Sequence, residues 1–398
     1  MDHTEFQTIQ PLPRAQRSVS CGNLPLIISL LCLLWVAAGC SRSSENHWIG
    51  KIEVIDGVQS VISDGPIYHS PDTTLQVVMT PDLVINGQGT TTDASFASVY
   101  GLTTDAKGNV YLADSDQSHI RKYAEDGKFL KTVGSKGSGP LNFQKPTDLA
   151  INAKNQLLIV DTELNRVTTL NEDLTLADIW DTPVVRPRRV RVDSEGNVLV
   201  FAITQHNLIY KFSPDGNILQ EFFDPKAMLR INGDLDQLIA YSDAAMETSP
   251  DGYVYVSSRH PYRIQKFDRV SGLALQFNRT TPFDIVPFNS WAGNKEPPPV
   301  GISGALAVFP GGRILNIIQY QEFERAGTQV AGQPPDLRLA KVERWFDFFN
   351  AEGKWELTSK IDVSGFPMHV DSKGRIYFAE AEPPRVVRYT VQFPKGVD

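Results

Sequence analysis

From residue 101 to 393, short apolar runs alternate with turn residues at a nearly regular beat. Each beat has an apolar strand, a turn of the form Asp-x-x-Gly, a second apolar or aromatic strand, and a third strand ending near Asp-Gly. The first clear copy is GLTTDAKGNVYLADSDQSHIRKYAEDGKFLKTVG, starting at Gly101. Its turn residue Gly108 recurs as Asn155, Gly196, Gly252, Gly312 and Gly374, at spacings of 41 to 62 residues. Gly or Asn there fits a hairpin turn that needs positive φ. Behind the turn come Val110-Tyr111, Leu157-Leu158, Val198-Leu199, Val254-Tyr255, Ile314-Leu315 and Ile376-Tyr377, β-formers in one register. The third strand reads Ile120–Tyr123, Val167–Leu170, Ile209–Phe212, Ile264–Phe267, Val342–Trp345 and Val386–Tyr389. Apolar residues three apart cannot share one face of a regular strand, so both are buried only if the sheet is covered on both sides. A second turn follows at Asp126-Gly127, Asp215-Gly216, Ser271-Gly272 and Glu352-Gly353.

Six copies of a four-stranded unit at this spacing predict an all-β fold, a six-bladed β-propeller of four-stranded blades. The sixth copy stops near Phe393 without its fourth strand. The run Asp82 to Gly89 with Phe96 parallels Leu130 to Gly137 with Phe143, which precedes the second copy. An N-terminal strand near residues 82–86 is therefore expected to complete the last blade and close the ring, leaving no open edge between first and last blades.

The segment DAKGNVYLADSDQSHIRKYAEDGKFLKTVGSKGSGPLNF resembles an NHL repeat, and DTELNRV at 161–167 is similar to the core of the next one. The resemblance spans residues 80–393, and IEVIDGVQSVISD is similar to the start of bacterial six-bladed propeller lipoproteins. It implies a binding scaffold in most members and an enzyme in a minority; the fold does not choose between them.

The chain has 398 residues and a net charge of -8, which argues against nucleic acid as a partner. Its three cysteines, Cys21, Cys32 and Cys40, lie in the first tenth of the chain. The body thus has no disulfide, thiolate metal site or cysteine nucleophile. Leu24 to Ala38 is an apolar run behind Arg14 and Arg17, short for a spanning helix. Ala37-Ala38-Gly39-Cys40 after it resembles a bacterial lipobox, with an ordinary signal peptide or a short anchor as the alternative. The expected organisation is a lipoprotein signal peptide at 1–39, lipidated Cys40, a tether over 40–50, and the propeller over 51–398. Ser41 after the cysteine favours the outer membrane by resemblance to Gram-negative sorting rules, with the propeller facing the periplasm.

Counting back from each turn sets Gly101, Asp148, Arg189, Ala245, Ala305 and Pro367 at one level of the innermost strands. Thr103, Ala150, Arg191, Glu247, Ala307 and His369 lie two positions on. With their neighbours, the candidate ligand-binding residues lining the channel are Asp148, Arg188, Arg189, Arg191, Asp243, Glu247 and His369. Arg-Pro-Arg-Arg-Val-Arg at 186–191 is the densest basic spot and suits a carboxylate, phosphate or sugar acid. The competing reading pairs these charges with one another, Arg189 with Asp148 or Asp243, as struts between blades. Asp114 and Asp161, with Arg121 and Arg166 downstream, are expected to tie their blades together. His119, His206 and His260 are spaced around the ring and are expected at the surface rather than on zinc.

Zinc-dependent amidating lyases of similar fold place histidine directly after the proline that opens two inner strands. Here Thr147 and Met368 stand there, and His369 comes one residue late. Calcium-dependent propeller lactonases need convergent Glu, Asn and Asp, which Arg188 to Arg191 would oppose. There is no Gly-x-Ser-x-Gly, P-loop or dinucleotide motif. No catalytic residue, metal or cofactor is expected, and the protein is expected to be a monomer. Three insertions, Phe222 to Tyr241, Asn278 to Ile302 and Glu322 to Leu339, are unusually long, and the second, with Phe283, Phe288, Trp291 and Pro297 to Pro299, is expected either to cap the channel or dock a partner, or to pack over the blade edge. The expected function is a membrane-anchored binding or scaffold protein of the bacterial envelope that takes a small anionic ligand or a protein partner. The alternative is a propeller hydrolase or lyase with a charged channel site.

Overall fold

The computed structural model describes residues 47–68, 75–88, 91, 94–202, 204, 207–224, 244–258, 262–268, 272–283, 300–325, 327 and 337–397. Six antiparallel sheets radiate from a central channel. Their innermost strands are Gly101–Thr104, Pro146–Ile151, Pro187–Val192, Ala244–Thr248, Val300–Val308 and Phe366–Val370. Each touches the next, and the last touches the first, so the ring is closed. Packing there is tight. A Cβ on Gly101 would stand 2.7 Å from the Asp148 Cα of the neighbouring blade.

The second strands of blades one to four are buried at every position. Each blade is covered on both faces, which is why these strands read as continuous apolar runs rather than alternating ones. Ile120 and Tyr123 are both buried although three residues apart. The register of the third strand against the fourth shifts between Lys122 and Tyr123, and the shift recurs at Thr169/Leu170, Lys211/Phe212 and Lys266/Phe267. One such bulge turns the closing aromatic or leucine to the other face.

Pairing also corrects one expected strand. Val110 opposes Tyr123, Val254 opposes Phe267, and Ile376 opposes Tyr389. Their counterpart Ile314 opposes Phe349. The third strand of blade five is therefore Phe346-Asp347-Phe348-Phe349, not Val342–Trp345. The latter lies in an outward extension of the long pair Ile314–Arg325 and Leu337–Phe349. The third insertion thus begins and ends as paired strand, because a hairpin can lengthen without disturbing the blade beneath it.

The N-terminal segment runs along the outside of three blades. Strands β1 (Ile49–Ile55) and β2 (Val58–Gly65) form a hairpin over Asp56-Gly57, both at positive φ, 53° and 81°. That is the tight turn which matches strand twist. β1 thus begins inside the stretch read as a tether. β2 lies parallel to Leu273–Arg279, the outer strand of blade four, with Gln59 opposite Leu275, making a six-stranded sheet. Ile67 and Tyr68 then donate backbone hydrogen bonds to Trp355 and Glu356 on blade five, both 2.9 Å. Strand β3 (Val78–Asn86) pairs antiparallel with Pro384–Gln392, Ile85 opposite Val386, and completes blade six as expected from the repeated run. Cys40 and the leader, Asp243, His206, His260 and most of the three insertions lie outside the described residues. At the edge of the second insertion, Phe283 packs on Tyr320 and Trp345, ring centroids 4.8 and 5.1 Å away.

Candidate functional site

The channel is crossed by one ion cluster. Arg191 donates from Nη1 to Asp148 Oδ2 at 2.6 Å, from Nε to Glu247 Oε2 at 2.9 Å and from Nη2 to Glu247 Oε1 at 2.5 Å. Asp148 is 2% exposed and also accepts the Val190 amide at 3.0 Å. Burial opposes the guanidinium charge, but the two carboxylates more than offset it and hold Arg191 firmly protonated. The pairing expected for Arg189 therefore belongs to Arg191. The inner strands carry bulges between Pro146 and Asp148, Pro187 and Arg189, and Pro367 and His369. Each changes which side chain faces the next blade.

The cluster has a cavity on each side. A cavity of about 210 Å³ lies toward the Asp-x-x-Gly turns, with Thr103, Thr104, Thr248, Arg191, Glu247 and His369 in its wall. His369 Nε2 is 2.9 Å from Thr104 Oγ1. Burial pushes the imidazole down to about 4; Arg191 adds to the shift, and Asp371 opposes it. The folded value lies below the ordinary 6.5, so the unfolded chain takes up this proton first as pH falls. Stability from neutral His369 is complete above 6.5 and is lost on the way down to about 4. His369→Gln should flatten this part of the pH–stability curve, read as the unfolding midpoint in heat or denaturant across that window.

On the opposite side is a wider mouth of about 560 Å³, lined by Tyr100, Arg189, Gln319, Gln321, Arg344 and Phe366 among others. Beside it opens a pocket of about 240 Å³ that shares Tyr100 and Arg189. Its wall adds Lys145, Arg186 and Arg188 to the hydroxyls of Thr147 and Thr162, and holds no carboxylate among the described residues. Arg186 reaches Glu163 at 3.8 Å outside the pocket, where both side chains are largely exposed. The side chains of Lys145, Arg188 and Arg189 make no ion pair or hydrogen bond among the described residues. Cations beside hydroxyl groups are the chemistry that carboxylates and phosphates pair with.

The structure thus separates the candidate residues. Arg188 and Arg189 line the basic pocket. Arg191, Asp148 and Glu247 bind one another, and His369 sits on the far side of them. Lys145, Tyr100 and Arg344 were not anticipated, and Arg186 was expected only as the first residue of the basic run 186–191. Two of them carried a signal, since Lys145-Pro146 and Arg186-Pro187 both place a base just before the proline that opens an inner strand. Asp114 and Asp161 do tie their blades, both by accepting backbone amides and Asp114 also by an ion pair. Asp114 binds Arg121 at 2.9 Å, whereas Asp161 accepts the amides of Gln144, Lys145, Glu163 and Leu164. Arg166 instead donates to the carbonyls of Ser138, Gly139 and Asn142. His119 is half-buried, with its Nδ1 3.5 Å from Arg121. Among the described residues no cluster of His, Cys, Asp and Glu is arranged to hold a metal ion.

A family model described as 6-bladed beta-propeller matches residues 89–230, the first three blades. The remaining three blades repeat that unit and close on it. The protein is a six-bladed β-propeller. No curated protein matches its sequence. Among solved structures, this propeller is similar to a member of the duf4221 family from Bacteroides vulgatus, at 9% identity and a TM-score of 0.54, covering 81% of this chain and 100% of that one. It is also similar to a protein from Bacteroides fragilis described as exported, at 12% identity and a TM-score of 0.53, covering 84% and 99%. At such identities the likeness is one of fold, so the function of this propeller has to be argued from its own side chains.

Proposed function

We propose that the protein is a lipid-anchored binding module whose basic pocket, beside the channel mouth, takes an anionic ligand. The observation that carries this reading is the set Lys145, Arg188 and Arg189, which among the described residues is unpaired and faces a pocket without a carboxylate. Structural arginines in this protein are used differently. Arg121 and Arg279 are buried, Arg191 is half-buried, and all three are matched to carboxylates. The mutual pairing of Arg191, Asp148 and Glu247 favours a strut across the channel over a hydrolytic site, because the groups such a site would need already satisfy one another.

Calorimetric titration of the full chain with inorganic phosphate and with a uronic acid tests the reading. At least one should bind, and more weakly as salt is raised. Replacing Arg188 and Arg189 together with alanine should lower affinity by roughly tenfold to a hundredfold, the worth of one or two charge-assisted hydrogen bonds. Equal binding by the native and doubly substituted chains would rule out the pocket. Anchoring rests on the Ala-Ala-Gly-Cys run and the apolar stretch before it. A chain expressed in a Gram-negative host should incorporate labelled palmitate and sediment with outer membranes, and Cys40→Ser should abolish both. Label retained by the Cys40→Ser chain would remove Cys40 as the anchor.

A further inference from the structure

We propose that the protein forms a two-fold symmetric dimer by pairing strand β1 of one copy antiparallel to β1 of a second copy. Among the described residues β1 is the terminal strand of the blade-four sheet, with β2 on its inner side only. Its outer edge thus presents the unpaired amides and carbonyls that template strand addition. It also exposes apolar side chains, with Ile49 at 52%, Ile52 at 51% and Val54 at 73%.

The sequence of β1 identifies the occupant as a second copy. An antiparallel pair centred on Ile52 uses all seven residues of the strand. Ile49 then faces Ile55 of the second copy, Gly50 faces Val54, Lys51 faces Glu53, and Ile52 faces itself. Lys51 and Glu53 lie on one face of the strand, where they now touch within the chain at 3.1 Å, both largely exposed. In the dimer they form two cross-strand pairs of opposite charge, a stabilising arrangement on a sheet. On the other face, the Trp48 ring occupies the space beside Gly50, where a Cβ would meet it at 2.5 Å. Val54 of the second copy would therefore rest against Trp48. The result is a continuous sheet across both copies.

The other outer strands lack this property. Centred on themselves, Phe129–Val133 sets Lys131 against Lys131, and β3 sets Asp82 against Asp82. Ile218–Phe222 sets Leu219 against Glu221, and Leu176–Asp181 sets Asp178 against Ile179. Trp355–Lys360 already accepts hydrogen bonds from Ile67 and Tyr68. Like charges directly opposed are the usual defence of an edge against self-pairing. Only in β1, among the described outer strands, does self-pairing bring opposite charges together. The dimer departs from the monomer expected from sequence, because repeat counting carries no information about an edge outside the repeat.

Sedimentation velocity on the full chain in detergent, over a range of concentrations, tests the proposal. The native chain should sediment as a dimer. Glu53→Lys and Lys51→Glu should each weaken dimerisation by roughly tenfold or more, by opposing like charges twice across the two-fold. The double variant Lys51→Glu with Glu53→Lys should restore it, an outcome that misfolding of the single variants could not produce. Under oxidation, Ile52→Cys should link two copies through the symmetric position, whereas Val54→Cys, facing Gly50, should link no more than the native chain with its own three cysteines. A native chain that stays monomeric, a double variant that stays as weak as the single ones, or equal cross-linking at 52 and 54 would overturn the proposal.

Discussion

Replacing Arg191 with methionine is expected to destabilise the propeller by about 3–5 kcal/mol, the usual cost of removing one member of a buried ion cluster. The side chains of Arg191, Asp148 and Glu247 are 13%, 3% and 20% exposed, so solvent screens them little. Without the guanidinium of blade three, the carboxylates of blades two and four would face each other unmatched. Asp148 could not turn to water, because it is held against the Val190 amide. Adding Asp148→Asn and Glu247→Gln should return most of the loss, since neutral amides leave no uncompensated charge. Urea unfolding of the three chains, with midpoints compared at equal slope, checks both steps. A single variant as stable as the native chain would mean the cluster does not brace the ring.

A comparable loss, about 3–5 kcal/mol, is expected for Asp114→Ala. Its carboxylate accepts Arg121 Nη1 at 2.9 Å, the Ala97 amide at 2.9 Å and the Gln117 amide at 3.1 Å. Both ion-pair side chains are 1% exposed or less. Alanine would remove the carboxylate that balances a fully buried guanidinium and free the chain that leads from the closing strand into blade one. Asp114→Asn should cost less, because it still accepts one of the amides. Thermal unfolding of both variants should show the alanine variant as the less stable; equal stabilities would show that the Ala97 and Gln117 hydrogen bonds contribute little.

Much of the fold was legible because each blade is built by local means. Turn positions 108, 155, 196, 252, 312 and 374 all adopt positive φ, and residues of the glycine or asparagine type mark them. Ring closure was legible because the run leading into blade one copies the run leading into blade two. The fifth third-strand was misread where a long insertion hid the spacing. Tyr123 to Gly127, Phe212 to Gly216 and Phe349 to Gly353 are each four residues apart, and Trp345 does not fit that count. In the site, the density of arginine at 186–191 was visible. Which arginine pairs with Asp148 was not, since a one-residue bulge at the head of the inner strands of blades two and three decides which side chains face a neighbour.

Local pattern in the chain alone determined the number of blades, their order, their turns and the strand that closes the ring. Those are consequences of backbone conformations that a few residue types prefer. Tertiary structure decided which charges became a strut and which were left to line a pocket. Arg188, Lys145 and Tyr100 come from different blades or the segments between them, and only the curvature of the ring brings them to one wall. It also decided where the N-terminal hairpin lands. Asp56-Gly57 announces a hairpin, but its place beside blade four depends on apolar contact of Val61 with the core there. Burial and inter-blade geometry are properties of the assembled ring, and no single strand carries them.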